Sequence, residues 1–103
     1  MKEINRNEKV TIGTTSGEIS AEKSRSNRNE RQSIIIINTS LLGEKISIAI
    51  DSAAILGNGI VLSPGGVWSD TSDGAYKPTQ KRIQAIADAA TATISIQERI
   101  WSF

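Results

Sequence analysis

The sequence contains no cysteine and no histidine. Without cysteine there are no disulfides, no thiolate metal sites and no thiol nucleophile, and the redox compartment leaves no mark on the chain. Without histidine the commonest general base and the commonest transition-metal ligand are missing. Aromatic residues make up only 4% of the chain, too few for a core or a stacking surface built on rings. No apolar run resembles a signal-peptide core or a membrane-spanning helix, so the chain is expected to be made in the cytoplasm and not exported by the Sec route. The formal net charge of +1 provides no global field to draw nucleic acid, an anionic membrane or a basic partner.

What is present is isoleucine. At 103 residues the chain is one domain with room for one core, and its apolar content is dominated by β-branched side chains that suit a pleated sheet better than a helix. The central feature is Arg31-Gln32-Ser33-Ile34-Ile35-Ile36-Ile37-Asn38-Thr39-Ser40. An unbroken run apolar on both faces reads as a strand buried on both sides. On that reading Ile35→Ala or Ile36→Ala costs on the order of 2–5 kcal/mol. Lys45 to Asp51 alternates cleanly, with Ile46, Ile48 and Ile50 on one face, and is expected to pair with the isoleucine strand as a hairpin.

The remaining segments are short. Residues 1–8 read as a polar arm that is ordered only where something holds it. Lys9 to Gly13 reads as a short strand, and Ser16 to Glu22 as a second one or as the continuation of the first after a bulge. Ser24 to Arg31 is a polar loop with arginines at 25, 28 and 31, flanked by Glu22 and Glu30 and without an aromatic neighbour. Its plain reading is a solvated loop, its sharper one contact with an acidic neighbour such as another subunit; nucleic acid is not an expected partner. Asn58-Gly59 signals a tight turn. Ser63-Pro64-Gly65-Gly66 fits a type II turn, which makes Ile60 to Asp70 a hairpin or a sharp corner. Asp70 to Pro78 is a loop whose aspartates lack calcium-loop spacing. Lys81 to Ala90 fits a helical face or a strand, and propensity leans to helix. Thr93 to Glu98 alternates with Ile94 and Ile96 inward. Residues 99–103 form an aromatic tail. Strands at short intervals with Gly/Pro turns indicate an all-β fold, a small antiparallel β-sandwich of jelly-roll or immunoglobulin type with about seven or eight short strands and little or no helix, spanning 9–98.

The series Val10-Thr11-Ile12-Gly13-Thr14-Thr15, Arg31 to Ser40, Gly59-Ile60-Val61-Leu62-Ser63-Pro64-Gly65-Gly66, Ile83-Gln84-Ala85-Ile86-Ala87 and Ala92-Thr93-Ile94-Ser95-Ile96-Gln97-Glu98 resembles a group of small tailed-phage and prophage proteins. Their pattern runs "TVGTTA … RRSLLIQNTS … G.PLAPGES … Y.GAIYAIAS.GTATVSVLE". The resemblance lies in the order and spacing of the motifs. It implies a β-sandwich of virion structure, such as a head-decoration or head-fibre protein, made in the host cytoplasm and located in the virion. It also makes Ile83 to Ala87 a strand and Asp88 to Thr91 a turn. The chain departs from the pattern in having no aromatic within Ile46 to Ile50, a longer basic loop at 24–31, and the extra Ile100 to Phe103 tail.

The function so implied is non-enzymatic, through contacts with other capsid or vertex proteins and with further copies, since a sandwich this small leaves sheet edges open. Candidate interface residues are Ile100, Trp101 and Phe103, because large aromatics concentrate binding energy, and Arg25, Arg28 and Arg31. The alternative for the tail is intramolecular, folded back over the open end of the sandwich. A second function class is a carbohydrate- or receptor-binding module with Trp68 and Tyr76 at its loop, although Trp68 also suits the edge of the core. An enzyme would have to rest on Asp51, Asp70, Asp73 and Asp88, which no spacing pairs. No cofactor or metal is expected.

Overall fold

In the computed structural model, which describes residues 2–103, eight strands and no helix form two sheets. The strands are β1 (Lys2–Ile12), β2 (Gly17–Ser20), β3 (Asn29–Asn38), β4 (Ile46–Ile50), β5 (Ile60–Leu62), β6 (Val67–Thr71), β7 (Ile83–Ala87) and β8 (Ala92–Ser102). Their orders are β1-β8-β3-β6 and β2-β7-β4-β5. The first strand pairs with the last, the second with the seventh, the third with the sixth and the fourth with the fifth, all antiparallel. This nested pairing is that of one long hairpin rolled into two layers, the jelly-roll arrangement. No helix among the described residues is long and apolar enough to cross a membrane.

The inner faces meet in an isoleucine and alanine core. Ile34 and Ile36 of β3, Ile94 and Ile96 of β8, Ile46 and Ile48 of β4 and Ile83 of β7 are all buried. Ala85 and Ala87 complete the facing layer, so Ile83 to Ala87 is the strand that the motif order implies and not the helix that alanine content favours. Small residues there let the isoleucines of the opposite sheet approach closely.

Two expectations about the isoleucine run are corrected. Only Ile34 and Ile36 face the core; Ile35 and Ile37 are half-buried on the outer face, beside Ser69 and Val67 of β6 and Gln97 and Ser95 of β8. The first sheet has a second layer on one face only. Nor is the run a hairpin with Lys45 to Asp51: β3 and β4 lie in opposite sheets. The chain turns this corner on Asn38, whose side-chain Nδ2 donates to the carbonyls of Glu44 (2.9 Å) and Leu62 (2.8 Å) while its Oδ1 accepts from the Ser40 N–H (3.0 Å). Buried side-chain amides need such partners, and these direct the backbone across to the second layer.

Ile60 to Asp70 is likewise a corner between sheets. Its turn has the expected chemistry: the Gly66 N–H donates to the Ser63 carbonyl at 2.7 Å, and Gly65 sits at φ 81° where a type II turn demands it. The turn signalled by Asn58-Gly59 forms two residues earlier, over Ile55 to Asn58, with the Asn58 N–H bonded to the Ile55 carbonyl. Gly59 serves a different purpose, since a Cβ there would lie 2.7 Å from the Ile48 carbonyl oxygen.

Residues 2–8, expected as an arm, form the first part of β1, held in register against β8 from Lys2↔Ser102 to Ile12↔Ala92; Met1 lies outside the described residues. Strands β1, β3 and β8 run 10 or 11 residues against three to five in the second sheet. The first sheet therefore projects beyond the second, and the molecule is elongated, 41 × 22 × 21 Å.

Candidate assembly interface

Where the second sheet ends, charged groups replace isoleucine between the layers. The β3–β8 register shifts between Arg31 and Ser33, leaving Gln32 as the extra residue of a bulge. Strict alternation from Ile34 would turn Arg31 outward; the bulge turns it inward. Its side chain is completely buried. The expectation that Arg31 belongs to an interface loop with Arg25 and Arg28 is thus overturned.

All five guanidinium donors of Arg31 are used. Nε bonds Glu98 Oε2 at 2.6 Å, Nη2 bonds Ser20 Oγ (2.7 Å) and the Ala21 carbonyl (3.1 Å), and Nη1 bonds the carbonyls of Thr79 (2.5 Å) and Lys81 (3.0 Å). Ser20 Oγ in turn donates to Glu98 Oε2 at 2.7 Å. Arg6 of β1 reaches the same carboxylate at 3.2 Å, and its Nη1 also bonds the Ile19 carbonyl at 2.9 Å. The backbone of Arg31 is held too, by the Gln80 amide, which accepts from its N–H (2.6 Å) and donates to its carbonyl (3.0 Å). One arginine thereby ties β3 to β8, to the end of β2 and to the strand-free segment before β7. Burial acts to push the Glu98 carboxyl up, but hydrogen bonds from Arg31 and Ser20 and the charges of Arg31 and Lys23 outweigh it and hold Glu98 below the ordinary carboxylate value. Burial lowers the Lys23 ammonium beside it. A carboxylate so fully engaged is a structural tie and is not free to move protons.

Beyond this lock lies the projecting end with the other predicted residues. Ile100 pairs with Ile4 and Arg31, and Trp101 with Glu3 and Glu30. The tail is therefore the continuation of a central strand, flanked on both sides. Phe103 is fixed by its N–H to the Arg28 carbonyl (2.9 Å) and by the Arg25 guanidinium 5.6 Å above its ring, a cation–π contact. Arg25 also bridges to Glu30 at 3.4 Å. Arg25, Arg28, Trp101 and Phe103 are brought together at one end, and Trp101 and Phe103 remain partly exposed.

Trp68 and Tyr76 are not brought together. Trp68 lies opposite Ile36 and packs on the core, whereas Tyr76 points outward and its hydroxyl donates to Asp70 Oδ1 at 2.5 Å. Asp70 Oδ2 accepts the Thr79 N–H at 2.8 Å, so this aspartate pins the loop between β6 and β7. Among the described residues no group of three or more acidic side chains stands together as a metal site.

What the sequence does not reveal are the edges. β1 pairs only with β8, and β6, at the other side of the same sheet, pairs only with β3. Every second residue of each presents unpaired backbone N–H and C=O groups outward. In β1 the exposed positions carry alternating signs, among them Lys2, Glu3, Glu8 and Lys9, which blunts indiscriminate pairing.

No family model matches the chain, and no curated protein matches it. Among solved structures it is similar to one described as Bacillus endospore appendages, a family of disulfide-linked pili, with a TM-score of 0.63 and 16% sequence identity, covering 99% of this chain and 88% of that one. The likeness is one of fold.

Proposed function

We propose that the protein is a non-enzymatic structural subunit that works by associating with further copies of itself. The observation that carries this reading is the long open edge of β1, with a second open edge, β6, across the same sheet. One edge strand of a copy meeting an edge of the next is a heterologous contact, which builds a ring or a filament. The fold likeness to a pilus subunit supports it. With no cysteine in the chain, cohesion between copies is non-covalent with respect to disulfides, unlike that neighbour. Two settings use such a subunit: a virion surface, as decoration, vertex or fibre-base protein, which the motif order supports, and a bacterial surface appendage, which the fold likeness supports. The exposed rings of Trp101 and Phe103 are candidates for a further contact at the projecting end, with capsid or vertex proteins in the first setting.

Prolines at two adjacent positions of β1 test the edge. Because ladder bonds alternate, one of Asn7→Pro and Glu8→Pro removes a bond to β8 and the other removes only an outward donor. The second kind is expected to keep its unfolding temperature and lose self-association. Normal assembly in both variants would rule out pairing through β1.

A further inference from the structure

The phase of the hydrogen-bond ladder tells which residues of the two open edges face outward. Within β3 the even-numbered residues bond toward β6: the Asn38 N–H donates to the Gly66 carbonyl (3.0 Å), and the Gln32 carbonyl accepts the Ser72 N–H (2.9 Å). The odd-numbered residues bond toward β8, as the Thr39 N–H does to the Thr93 carbonyl (3.0 Å). Direction alternates along every antiparallel strand. Carried through the register, Trp68 and Asp70 bond inward to β3, while Val67, Ser69 and Thr71 direct their N–H and C=O groups away from the sheet. At the other side Arg6, Glu8 and Val10 bond to β8, and Asn5, Asn7 and Lys9 face outward.

The two edges also match in sense. The order β1-β8-β3-β6, with every step antiparallel, makes β6 run opposite to β1. A copy placed beside the first in the same orientation sets its β6 antiparallel to β1 and extends the sheet without a break. Continuing the rows of the sheet gives the register. The row through Asp70, Ile34, Glu98 and Arg6 brings Asp70 of the next copy beside Arg6. The row through Ser69, Ile35, Gln97 and Asn7 brings its Ser69 beside Asn7. Asn7 with Ser69, and Asn5 with Thr71, then meet as hydrogen-bonded pairs, because all four direct their backbone groups outward.

Charge selects this register. Asp70 is the one charged residue of β6, and the in-line register places it against the cation Arg6. A slip of two residues, the smallest that keeps the bond phase, sets Asp70 against Glu8 in one direction and against Ile4 in the other. Like charges directly opposite are destabilising and opposite charges stabilising. Pairing β1 with a second β1 would leave the β6 edge open, whereas pairing β1 with β6 closes both.

We propose that β1 of one copy pairs antiparallel with β6 of the next, Asn7 opposite Ser69 and Arg6 opposite Asp70, so that the first sheet runs continuously through the assembly and all copies share one polarity. This rests on the self-association reading above and names the partner and register of its β1 edge. Of the two prolines at that edge, Asn7→Pro is then the one that blocks association and spares the ladder to β8.

Because the chain has no cysteine, introduced thiols report the pairing. Two full-length proteins, Asn7→Cys and Ser69→Cys, are oxidised alone and mixed, with Asn5→Cys and Thr71→Cys as a second pair. All these positions are exposed, and unfolding temperatures should match the parent. Opposed residues of a ladder, with Cα atoms about 5.5 Å apart, lie within disulfide reach. Each mixture is expected to give a linked heterodimer, and a chain carrying both Asn7→Cys and Ser69→Cys a series of linked multimers. A chain with Lys9→Cys and Thr71→Cys, offset by four residues or about 13 Å, should link at least roughly tenfold more slowly. No heterodimer from either pair where the wild-type chain associates in sedimentation velocity, or equal linking by the offset pair, overturns the pairing while leaving self-association standing. Rapid homodimer formation by Asn7→Cys alone shows β1 paired with itself and overturns it as well. A wild-type chain that never associates overturns both readings.

Discussion

Toward the Asn38 end of the molecule the space between the sheets is filled by Ile34, Ile36, Ile46, Ile83, Ile94 and Ile96; toward the chain termini the same strands present Arg6, Arg31 and Glu98. The two fillings act differently. Isoleucines are held by contact area, which is non-directional and tolerates small shifts. The Arg31 lock is directional: five donors meet named acceptors on β2, β8 and the segment before β7. A buried ion pair adds little net stability over an apolar filling, yet removal of one partner strands the other. The apolar end supplies stability, and the ionic end fixes how the projecting strands sit on the sandwich.

The largest effect should come from breaking the lock on one side. Glu98→Ala leaves Arg31 buried and unpaired and should cost about 3–5 kcal/mol in urea denaturation. A loss well under 1 kcal/mol would mean that the two ends do not differ. Next is the apolar end, where Ile36→Ala should cost about 2–5 kcal/mol. Ile35, one residue away on the outer face, should lose about 1 kcal/mol as the alanine variant, since part of its surface is already in water. Equal losses at the two positions would show the outer face to be covered.

A smaller effect is expected from acid. Glu98 titrates lower in the folded chain than its ordinary value of 4.5. Its contribution is therefore complete above that value and is lost as pH falls below it through the folded value. Melting temperature should drop over that acid range, and the Glu98→Ala variant should drop less. An identical acid profile for both proteins would remove Glu98 as the cause.

Much of the fold is legible in the residues. The alternation of β8, the Gly65 turn and the all-β class follow from side-chain period and backbone chemistry. Pairing of the first strand with the last does not, because long-range partners leave no local signal and residues 2–8 have almost no apolar content to mark them as strand. The interior place of Arg31 was hidden for a sharper reason. A single extra residue, Gln32, inverts which side chains face the core, and nothing in Ser24 to Arg31 marks the bulge. Leu41 and Leu42 are apolar side chains that composition alone would assign to a core, and only the three-dimensional corner shows them to be exposed.

The central claim, self-association without disulfides, is tested most directly by sedimentation velocity over a wide concentration range, with and without reductant, alongside negative-stain images. A structural subunit of this kind should show mass rising with concentration, identical behaviour in reductant, and regular rings or filaments. A single monomeric species at every concentration would contradict it.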